Sequence, residues 1–389
     1  MADRNVRAPI GPRRRLQQNL KCAIDMPIAA PNFAAALPPN LVWRSYRGGS
    51  VLRRFRGLPD PGDNNFPEDW LASTVQARNG AHAQHPQEGL SRVTQPSGDH
   101  LLADWLTHQP AAWLGAGLAQ LPPQERPRVL WKLLDSSVRL QIQAHPDAQF
   151  ARQHLNSGAG KTECWYIIGT RGPVHVYLGF QRPPTMEAWA EMIREQRVDD
   201  ILACFDPIPV QPGDCYAVPA GTPHAIGAGV FMLELQEPTD WVVRCETTNA
   251  GLTLPPEACF MGLDLDTCLD VFDYRALPVP DVRRQLQQRA RTVNLTSGAH
   301  EEELIGAVYH EYFRLHRLRG TADAAWPGNE LMLLLILKGR GTLPSGSDSC
   351  VLEAGQTWLL PACVPHWQWL NPTGDWELLL AKLPVVRKR

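Results

Sequence analysis

The fold is indicated by one stretch of sequence that occurs twice. Residues Gln211–His224 read QPGDCYAVPAGTPH, and residues Glu353–His366 read EAGQTWLLPACVPH. A glycine, two prolines, an alanine and the final histidine match at one fixed offset, without gaps. The glycine suits a tight turn, and the run after it suits a strand. The proline-rich turn then fixes the orientation of the histidine side chain. We interpret the match as an internal repeat, in which one structural unit occurs twice.

A glycine turn, a strand and a Pro-Ala-x-x-Pro-His segment together resemble the second motif of a cupin barrel. Two copies therefore predict a mainly β protein with two cupin (jelly-roll) barrels. Short apolar runs between Gly/Pro turns predict antiparallel strands in both halves. The predicted strands are 139–145, 163–168, 174–179, 214–219, 230–236, 241–246, 312–318, 331–337, 356–361, 366–370 and 376–382.

Helical periodicity is confined to a few segments. It predicts a helix near 101–106, one or two amphipathic helices over roughly 185–205, and helices in parts of 256–290. The expected organisation is an irregular arm over 1–40, a first barrel with a helical insertion over 41–255, a helical connector over 256–305, and a second barrel over 306–389.

Composition excludes several classes of protein. The 389 residues are 44% hydrophobic and 20% charged, with 38 Lys+Arg against 40 Asp+Glu. Without a basic excess, we expect neither general nucleic-acid binding nor polybasic membrane binding. No run approaches the roughly 20 apolar residues of a membrane span. The N-terminal arginines precede no apolar segment, so no secretory signal is indicated. The nine scattered cysteines form no C-x-x-C. We expect a cytoplasmic monomer or homodimer.

A candidate metal site lies in the first half. In the predicted strand 139–145, Gln141, Gln143 and His145 share one face and apolar residues the other. Buried polar groups without partners cost about 1–3 kcal/mol each, so a metal or a polar substrate should face this row. Glu163 begins the next strand, and His224 ends the repeated segment. Each residue alone could be an ordinary structural group, but Gln143, His145, Glu163 and His224 together form a set suited to zinc.

The second copy of the repeat provides an internal comparison. Aligning Gly339 with Gly169 places Leu333 where Glu163 stands, and no Gln-x-His precedes it. His366 is thus left without co-ligands, and we expect the second barrel to be metal-free.

Several motifs, spread over most of the chain from about residue 40, are similar to those of a known protein family. They are Val42-Trp43-Arg44, Pro67-Glu68-Asp69-Trp70, Trp131-Lys132-Leu133-Leu134-Asp135, Gln143-Ala144-His145-Pro146-Asp147, Lys161-Thr162-Glu163-Cys164-Trp165-Tyr166, Pro219–Ile226 and Glu234–Asp240. With these motifs the chain resembles type I phosphomannose isomerases, two-cupin zinc enzymes that interconvert mannose 6-phosphate and fructose 6-phosphate through a cis-enediol. The resemblance implies one zinc ion per chain, held by Gln143, His145, Glu163 and His224.

The resemblance also implies the remaining site residues. The catalytic candidates are Lys161, Glu234 and Arg244. The candidates for binding the sugar phosphate are Trp43, Glu68, Trp70, Lys132 and Gln141. Alternatives stay open: Glu234 could pair structurally with Arg244, Lys132 could be a solvated helix residue, and Gln141 could rotate aside and only pack.

One position departs from the family pattern. Many members carry a serine two residues before the ligand glutamine, where it helps to hold the phosphate, and Gln141 stands there in this chain. The basic cluster that some members place after the strand of Arg244 is also missing. The alternative functions are therefore an isomerase of another sugar, with or without a phosphate, and a non-enzymatic sugar-binding cupin.

Overall fold

The computed structural model describes residues 34–95, 98–296, 298–345, 348–370 and 372–385. All of them belong to one compact unit. Most of the predicted arm over 1–40 lies outside the described residues.

The helices are short and lie between groups of strands. They are α1 (Ser50–Phe55), α2 (Leu102–His108), α3 (Pro110–Leu114), α4 (Ala116–Ala119), α5 (Ala148–His154), α6 (Met186–Arg194), α7 (Val198–Ala203), α8 (Pro256–Cys259), α9 (Leu265–Leu269) and α10 (Val279–Gln285). The predicted helix near 101–106, the pair within 185–205 and the helices within 256–290 correspond to α2, to α6 and α7, and to α8–α10. Thr185 caps α6 by accepting a hydrogen bond from the backbone of Ala188.

The strands of the first half carry most of the site residues. They are β1 (Ala35–Ala36), β2 (Leu41–Val42), β3 (Glu68–Leu71), β4 (Arg92–Gln95), β5 (Gly98–Leu101), β6 (Leu130–Asp135), β7 (Gln143–Ala144), β8 (Glu163–Thr170), β9 (Val174–Leu178), β10 (Ile208–Val210), β11 (Cys215–Val218), β12 (His224–Ile226), β13 (Val230–Gln236), β14 (Val243–Arg244), β15 (Thr248–Asn249) and β16 (Leu252–Thr253).

The remaining strands follow α10. They are β17 (Arg291–Thr296), β18 (Ala299–Glu303), β19 (Arg314–Gly320), β20 (Ala324–Pro327), β21 (Met332–Lys338), β22 (Arg340–Ser345), β23 (Asp348–Glu353), β24 (Thr357–Leu360), β25 (His366–Trp369) and β26 (Trp376–Lys382).

Three large antiparallel sheets organise these strands. A six-stranded sheet has the order β11-β8-β13-β6-β3-β2, and a five-stranded sheet has the order β10-β9-β12-β7-β14. A seven-stranded sheet, β1-β24-β21-β26-β19-β18-β17, contains most strands of the second half. Four two-stranded sheets, β4-β5, β15-β16, β20-β25 and β22-β23, complete the described part of the fold. The protein is thus mainly β, as predicted.

The six-stranded and five-stranded sheets share one hydrophobic core. Trp165 and Met232 of the first sheet pack in the same cluster as Val176 and Ile226 of the second. The second half has a separate core, in which Leu334 and Trp367 are buried among other apolar residues. The two copies of the repeat therefore lie in separately packed parts of the compact unit.

The predicted strand 139–145 is mostly wrong. Only Gln143–Ala144 pairs as a strand, with β12 and β14 as neighbours. The backbone N–H of Ile142 donates to the Glu246 carboxylate at 2.7 Å instead of to a neighbouring strand. The Leu140 N–H still donates to the Ile226 carbonyl, and the Ile142 carbonyl still accepts from Cys245. Because a side chain replaces one bond of the ladder, residues 139–142 alternate in sequence without forming a regular strand.

The first described residues pair with the second half. Ala35 and Ala36 lie opposite Leu359 and Trp358 in the seven-stranded sheet. The Arg56 guanidinium adds bonds of 2.7 Å to the Gly355 carbonyl and 2.9 Å to Thr357 Oγ1. The end of the predicted arm therefore contributes a strand to a sheet of the second half.

Candidate metal centre and substrate pocket

Three buried side chains from different strands converge. His145 follows β7, Glu163 begins β8 and His224 begins β12, and each is about 1% exposed. One ligand atom from each lies within 4.8 Å of the others. His145 Nε2 is 3.1 Å from Glu163 Oε1, and His224 Nε2 is 3.8 Å from Glu163 Oε2. This group could hold a metal ion.

Both histidines are oriented for coordination by their other ring nitrogen. His145 Nδ1 donates to the Trp241 carbonyl and His224 Nδ1 to the Thr222 carbonyl, each at 2.8 Å. Burial lowers the pKa of His145 to about 3, with the charge of Lys161 acting in the same direction. Burial also lowers the pKa of His224. Both rings are therefore neutral near pH 7, and their Nε2 lone pairs point toward Glu163.

The donor set fits a divalent cation. Two Nε2 lone pairs and a carboxylate face one another out of contact with bulk water. Glu163 Oε1 forms no hydrogen bond within the described residues, although it lies 2.8 Å from Lys161 Nζ as an ion pair. A metal ion would satisfy these atoms together.

Two further predicted residues lie beside this group. Gln143 is directly opposite His224 in the β7–β12 pairing, and its Nε2 lies 3.2 Å from His224 Nε2. Lys161 Nζ lies 3.1 Å from His145 Nε2. The structure thus brings all four predicted ligands and Lys161 together.

A buried chain of alternating charges runs away from the metal group. Glu234 Oε2 is 3.1 Å from Lys132 Nζ, which is 3.7 Å from Glu68 Oε2. Glu68 Oε2 is 2.9 Å from Arg44 Nε, and Arg44 Nη2 is 3.0 Å from Asp240 Oδ1. The structure therefore pairs Glu234 with Lys132 and not with Arg244.

These partners set the pKa values of the carboxylates. Burial alone would raise the pKa of Glu68, but the charges of Arg44 and Lys132 outweigh it and lower the pKa to about 2. Burial, with the charge of Glu163, raises the pKa of Glu234 above its ordinary value. Glu68 is thus a fixed anion, whereas Glu234 is the more basic carboxylate.

Two adjacent cavities lie beside the chain of charges. An inner pocket of about 40 Å³ is lined by Gln141, Gln143, Lys161, Glu234 and further residues. An outer cavity of about 570 Å³ includes Trp43, Arg78 and Trp241 in its lining. Both share the lining residues Arg44, Ser45, Asp240, Val242 and Arg244. The inner pocket and the outer cavity are therefore adjacent.

The remaining predicted residues are divided among the outer cavity, the inner pocket and the buried interior. Trp43 lines the outer cavity and stacks on His82 at 4.3 Å between ring centroids. Trp70 is fully buried and lines neither cavity; its Nε1 donates to Glu68 at 2.6 Å. Lys132 is buried on β6, so it is not a solvated helix residue. Gln141 lines the inner pocket while its Nε2 donates to the Glu246 carbonyl at 2.9 Å.

Four charged or polar groups of the site were not singled out from the sequence. Arg44 and Asp240 form the end of the chain of charges, Tyr46 donates to Glu68 at 2.7 Å, and Arg78 lines the outer cavity. Arg44 and Asp240 stand inside the quoted motifs, which could have indicated them. Arg78 belongs to none of those motifs.

The fold matches solved structures over nearly its whole length. The mannose 6-phosphate isomerase of Bacillus subtilis aligns with a TM-score of 0.69 and 23% identity, covering 90% of this chain and 99% of that one. A variant of the phosphomannose isomerase of Salmonella typhimurium aligns with a TM-score of 0.65 and 16% identity, covering 90% of this chain and all of that one. Fold and site together define a mainly β protein with the phosphomannose isomerase fold and a buried candidate metal centre.

Sequence comparisons point to the same enzymes. Mannose-6-phosphate isomerase ManA of Bacillus subtilis is 29% identical over 238 residues, 60% of this chain and 69% of the relative. The mannose-6-phosphate isomerase of Streptococcus mutans is 28% identical over 356 residues, 90% of this chain and 98% of the relative. No protein-family model matches. The chain is therefore similar to mannose-6-phosphate isomerases in sequence and in fold, and the resemblance drawn from its motifs is confirmed.

None of the helices within the described residues combines the length and apolarity that crossing a membrane requires.

Proposed function

We propose that the chain interconverts mannose 6-phosphate and fructose 6-phosphate with one zinc ion held by Gln143, His145, Glu163 and His224. The observation that carries this proposal is the buried His145/Glu163/His224 group, with both imidazole Nε2 atoms directed at the carboxylate. Its position beside the inner pocket, and the relatives named above, support the assignment.

The proposed architecture places this site in the first of two cupin barrels. Residues 41–255 would form that barrel, 256–305 a connector and 306–389 a second barrel without a metal. The shared core of the six-stranded and five-stranded sheets supports the first unit, and the separate core of the second half supports the last.

The isomerisation moves one proton between C1 and C2 of the open-chain sugar and a second proton between the oxygens O1 and O2. When bound, zinc supplies a Lewis acid that polarises the sugar carbonyl and its neighbouring hydroxyl. Glu234 is the proposed base, since its raised pKa makes the carboxylate a better proton acceptor and it lines the inner pocket. It takes the proton from one carbon and returns it to the other. Lys132, 3.1 Å away, holds the carboxylate in place.

Lys161 and Arg244 complete the proposed machinery. Lys161 lies 2.8 Å from Glu163 Oε1 and lines the inner pocket, which makes it the second candidate for proton transfer. Arg244 lines both cavities, and one of its nitrogens donates to the Ala258 carbonyl at 2.9 Å. Its remaining N–H groups can donate to substrate oxygens that gain negative charge during the reaction.

An assay coupled to fructose 6-phosphate formation tests the proposed function. Purified protein should convert mannose 6-phosphate, lose the activity on treatment with a chelator, and regain it on addition of Zn²⁺. Activity that survives complete removal of the metal would contradict the zinc-dependent mechanism.

Isomerisation of an unphosphorylated sugar is the second candidate function. The observation in its favour is Gln141, whose amide bonds to the Glu246 carbonyl at the position where many similar enzymes have a serine. Equal kcat/KM values for mannose and mannose 6-phosphate would favour this alternative.

A further inference from the structure

The outer cavity is the part of the site that the isomerisation chemistry leaves unexplained. The inner pocket, at about 40 Å³, is too small for a whole sugar phosphate and accommodates only the reacting end. The outer cavity, at about 570 Å³, has the volume of an ordinary small-molecule site. When C1 and C2 lie in the inner pocket, the opposite end of a six-carbon chain must extend into the outer cavity.

Arg78 is fixed at this cavity by the segment that also holds the metal group. Its guanidinium lies over the Trp241 ring, 3.6 Å from the centroid, and its backbone N–H donates to Asp240 at 2.9 Å. The Trp241 carbonyl accepts the hydrogen bond from His145. One residue thus orients a candidate metal ligand with its backbone and Arg78 with its side chain. Stacking leaves the edge of a guanidinium free to donate.

The Arg78 guanidinium forms no ion pair with a carboxylate among the described residues. Within the described residues, neither Arg78 nor Arg244 has a carboxylate oxygen within 4.0 Å of its guanidinium, whereas Arg44 is paired with Glu68 and Asp240. The other acid of the lining, Glu257, is exposed and forms no ion pair in that part of the chain. Two unpaired guanidinium groups therefore face the cavity against one solvated carboxylate, which favours an anion.

We propose that Arg78 binds the phosphate of the substrate in the outer cavity and determines the preference for phosphorylated sugars. A planar guanidinium donates two parallel hydrogen bonds to phosphate oxygens. The inference rests on the proposed function. It assigns the phosphate to the outer cavity because the amide of Gln141, in the inner pocket, already donates to the Glu246 carbonyl. Arg244, which lines both cavities, marks the boundary between the phosphate and the reacting carbons.

Steady-state kinetics of Arg78→Met with mannose 6-phosphate and with mannose tests the inference. Charge-assisted hydrogen bonds from Arg78 contribute to the binding free energy of the phosphorylated sugar. Their loss in Arg78→Met should raise KM for mannose 6-phosphate about 10- to 100-fold and leave kcat nearly unchanged. The kcat/KM for mannose should not change. Arg78→Lys, which keeps the charge but loses the planar fork, should give an intermediate KM.

Arg47→Met is the matched control. Arg47 is exposed, lines neither cavity and donates to the Asp63 carbonyl. Arg47→Met removes the same single positive charge as Arg78→Met, but away from the cavities. It should leave both substrates unaffected. An unchanged KM in Arg78→Met, or an equal loss for mannose and mannose 6-phosphate, would overturn the inference.

Calorimetry with mannitol 6-phosphate and mannitol separates this inference from the proposed function, because neither compound has a carbonyl to isomerise. Wild-type protein should bind the phosphorylated alcohol more tightly, and Arg78→Met should lose that difference. Such binding without turnover of mannose 6-phosphate would contradict the proposed function and support the phosphate site. Turnover with the same binding in wild type and Arg78→Met would contradict the phosphate site alone.

Discussion

At the scale of single residues, the same residue type has different surroundings in the two copies of the repeat. His224 is buried and faces Glu163, with Nδ1 fixed by a backbone carbonyl. His366, at the matching position, is exposed on β25, and Leu333 is buried where the alignment requires a carboxylate. The histidine alone therefore does not make a metal site, because the neighbouring donors are needed as well.

This contrast gives the first prediction for single residues. His145→Ala should lose bound zinc and activity, since it removes one of the converging donors. His366→Ala should keep both, and serves as the matched control. Metal content per chain, measured by atomic emission, checks the expectation of one ion. Two ions per chain, or an active His145→Ala enzyme, would contradict the assignment.

Arg244 gives the second prediction. Its position between the cavities suits stabilisation of charge that develops during the reaction more than binding of the sugar itself. Arg244→Ala should therefore lower kcat and kcat/KM together, by roughly a hundredfold for one lost charged hydrogen bond in a shielded site. Arg182→Ala, at an exposed ion pair with Asp206, is the control. A rise in KM with unchanged kcat would instead assign Arg244 to substrate binding.

At the scale of elements, the sequence was informative where a strand has ordinary backbone partners. The predicted strands 230–236 and 376–382 agree with β13 and β26. The segment 139–142 is not a regular strand because the carboxylate of Glu246, about a hundred residues away, accepts the hydrogen bond of the Ile142 N–H, and local alternation cannot reveal that contact. Strand β6, whose six residues are all buried, was not among the predicted strands.

In the candidate site too, local sequence patterns predicted some residues, and contacts between distant segments could not be predicted. The proximity of Gln143, His145, Glu163 and His224 could be predicted, because each stands at a strand end or beside a proline-rich turn within a recognisable motif. The pairing of Lys132 with Glu234 could not, because it arises from the β6–β13 register, where these two residues lie directly opposite. Arg78 could not be predicted either, since its position depends on stacking against Trp241 in a segment distant in sequence.

At the scale of the whole molecule, buried charges join segments that are far apart in sequence. Arg44 follows β2, Glu68 begins β3, and Asp240 lies between β13 and β14, yet all three are in one network with little exposure. Removing one partner of such a network leaves an uncompensated buried charge, at a cost of about 3–5 kcal/mol. The walls of the proposed pocket and the stability of the fold therefore depend on the same groups.

The pH dependence of stability follows from this network. The pKa of Glu68 is about 2 in the folded chain against an ordinary 4.5, so the unfolded chain binds more protons between these values. The contribution of Glu68 is complete above about pH 4.5 and is lost as the pH falls toward 2; its size is about 3 kcal/mol. Urea unfolding of wild type and Glu68→Gln at pH 7, 5, 4 and 3 measures it. The variant should be less stable at pH 7, and the difference in unfolding free energy should shrink below pH 4.5. A difference that stays constant from pH 7 to 3 would show that the ionised form of Glu68 does not stabilise the fold.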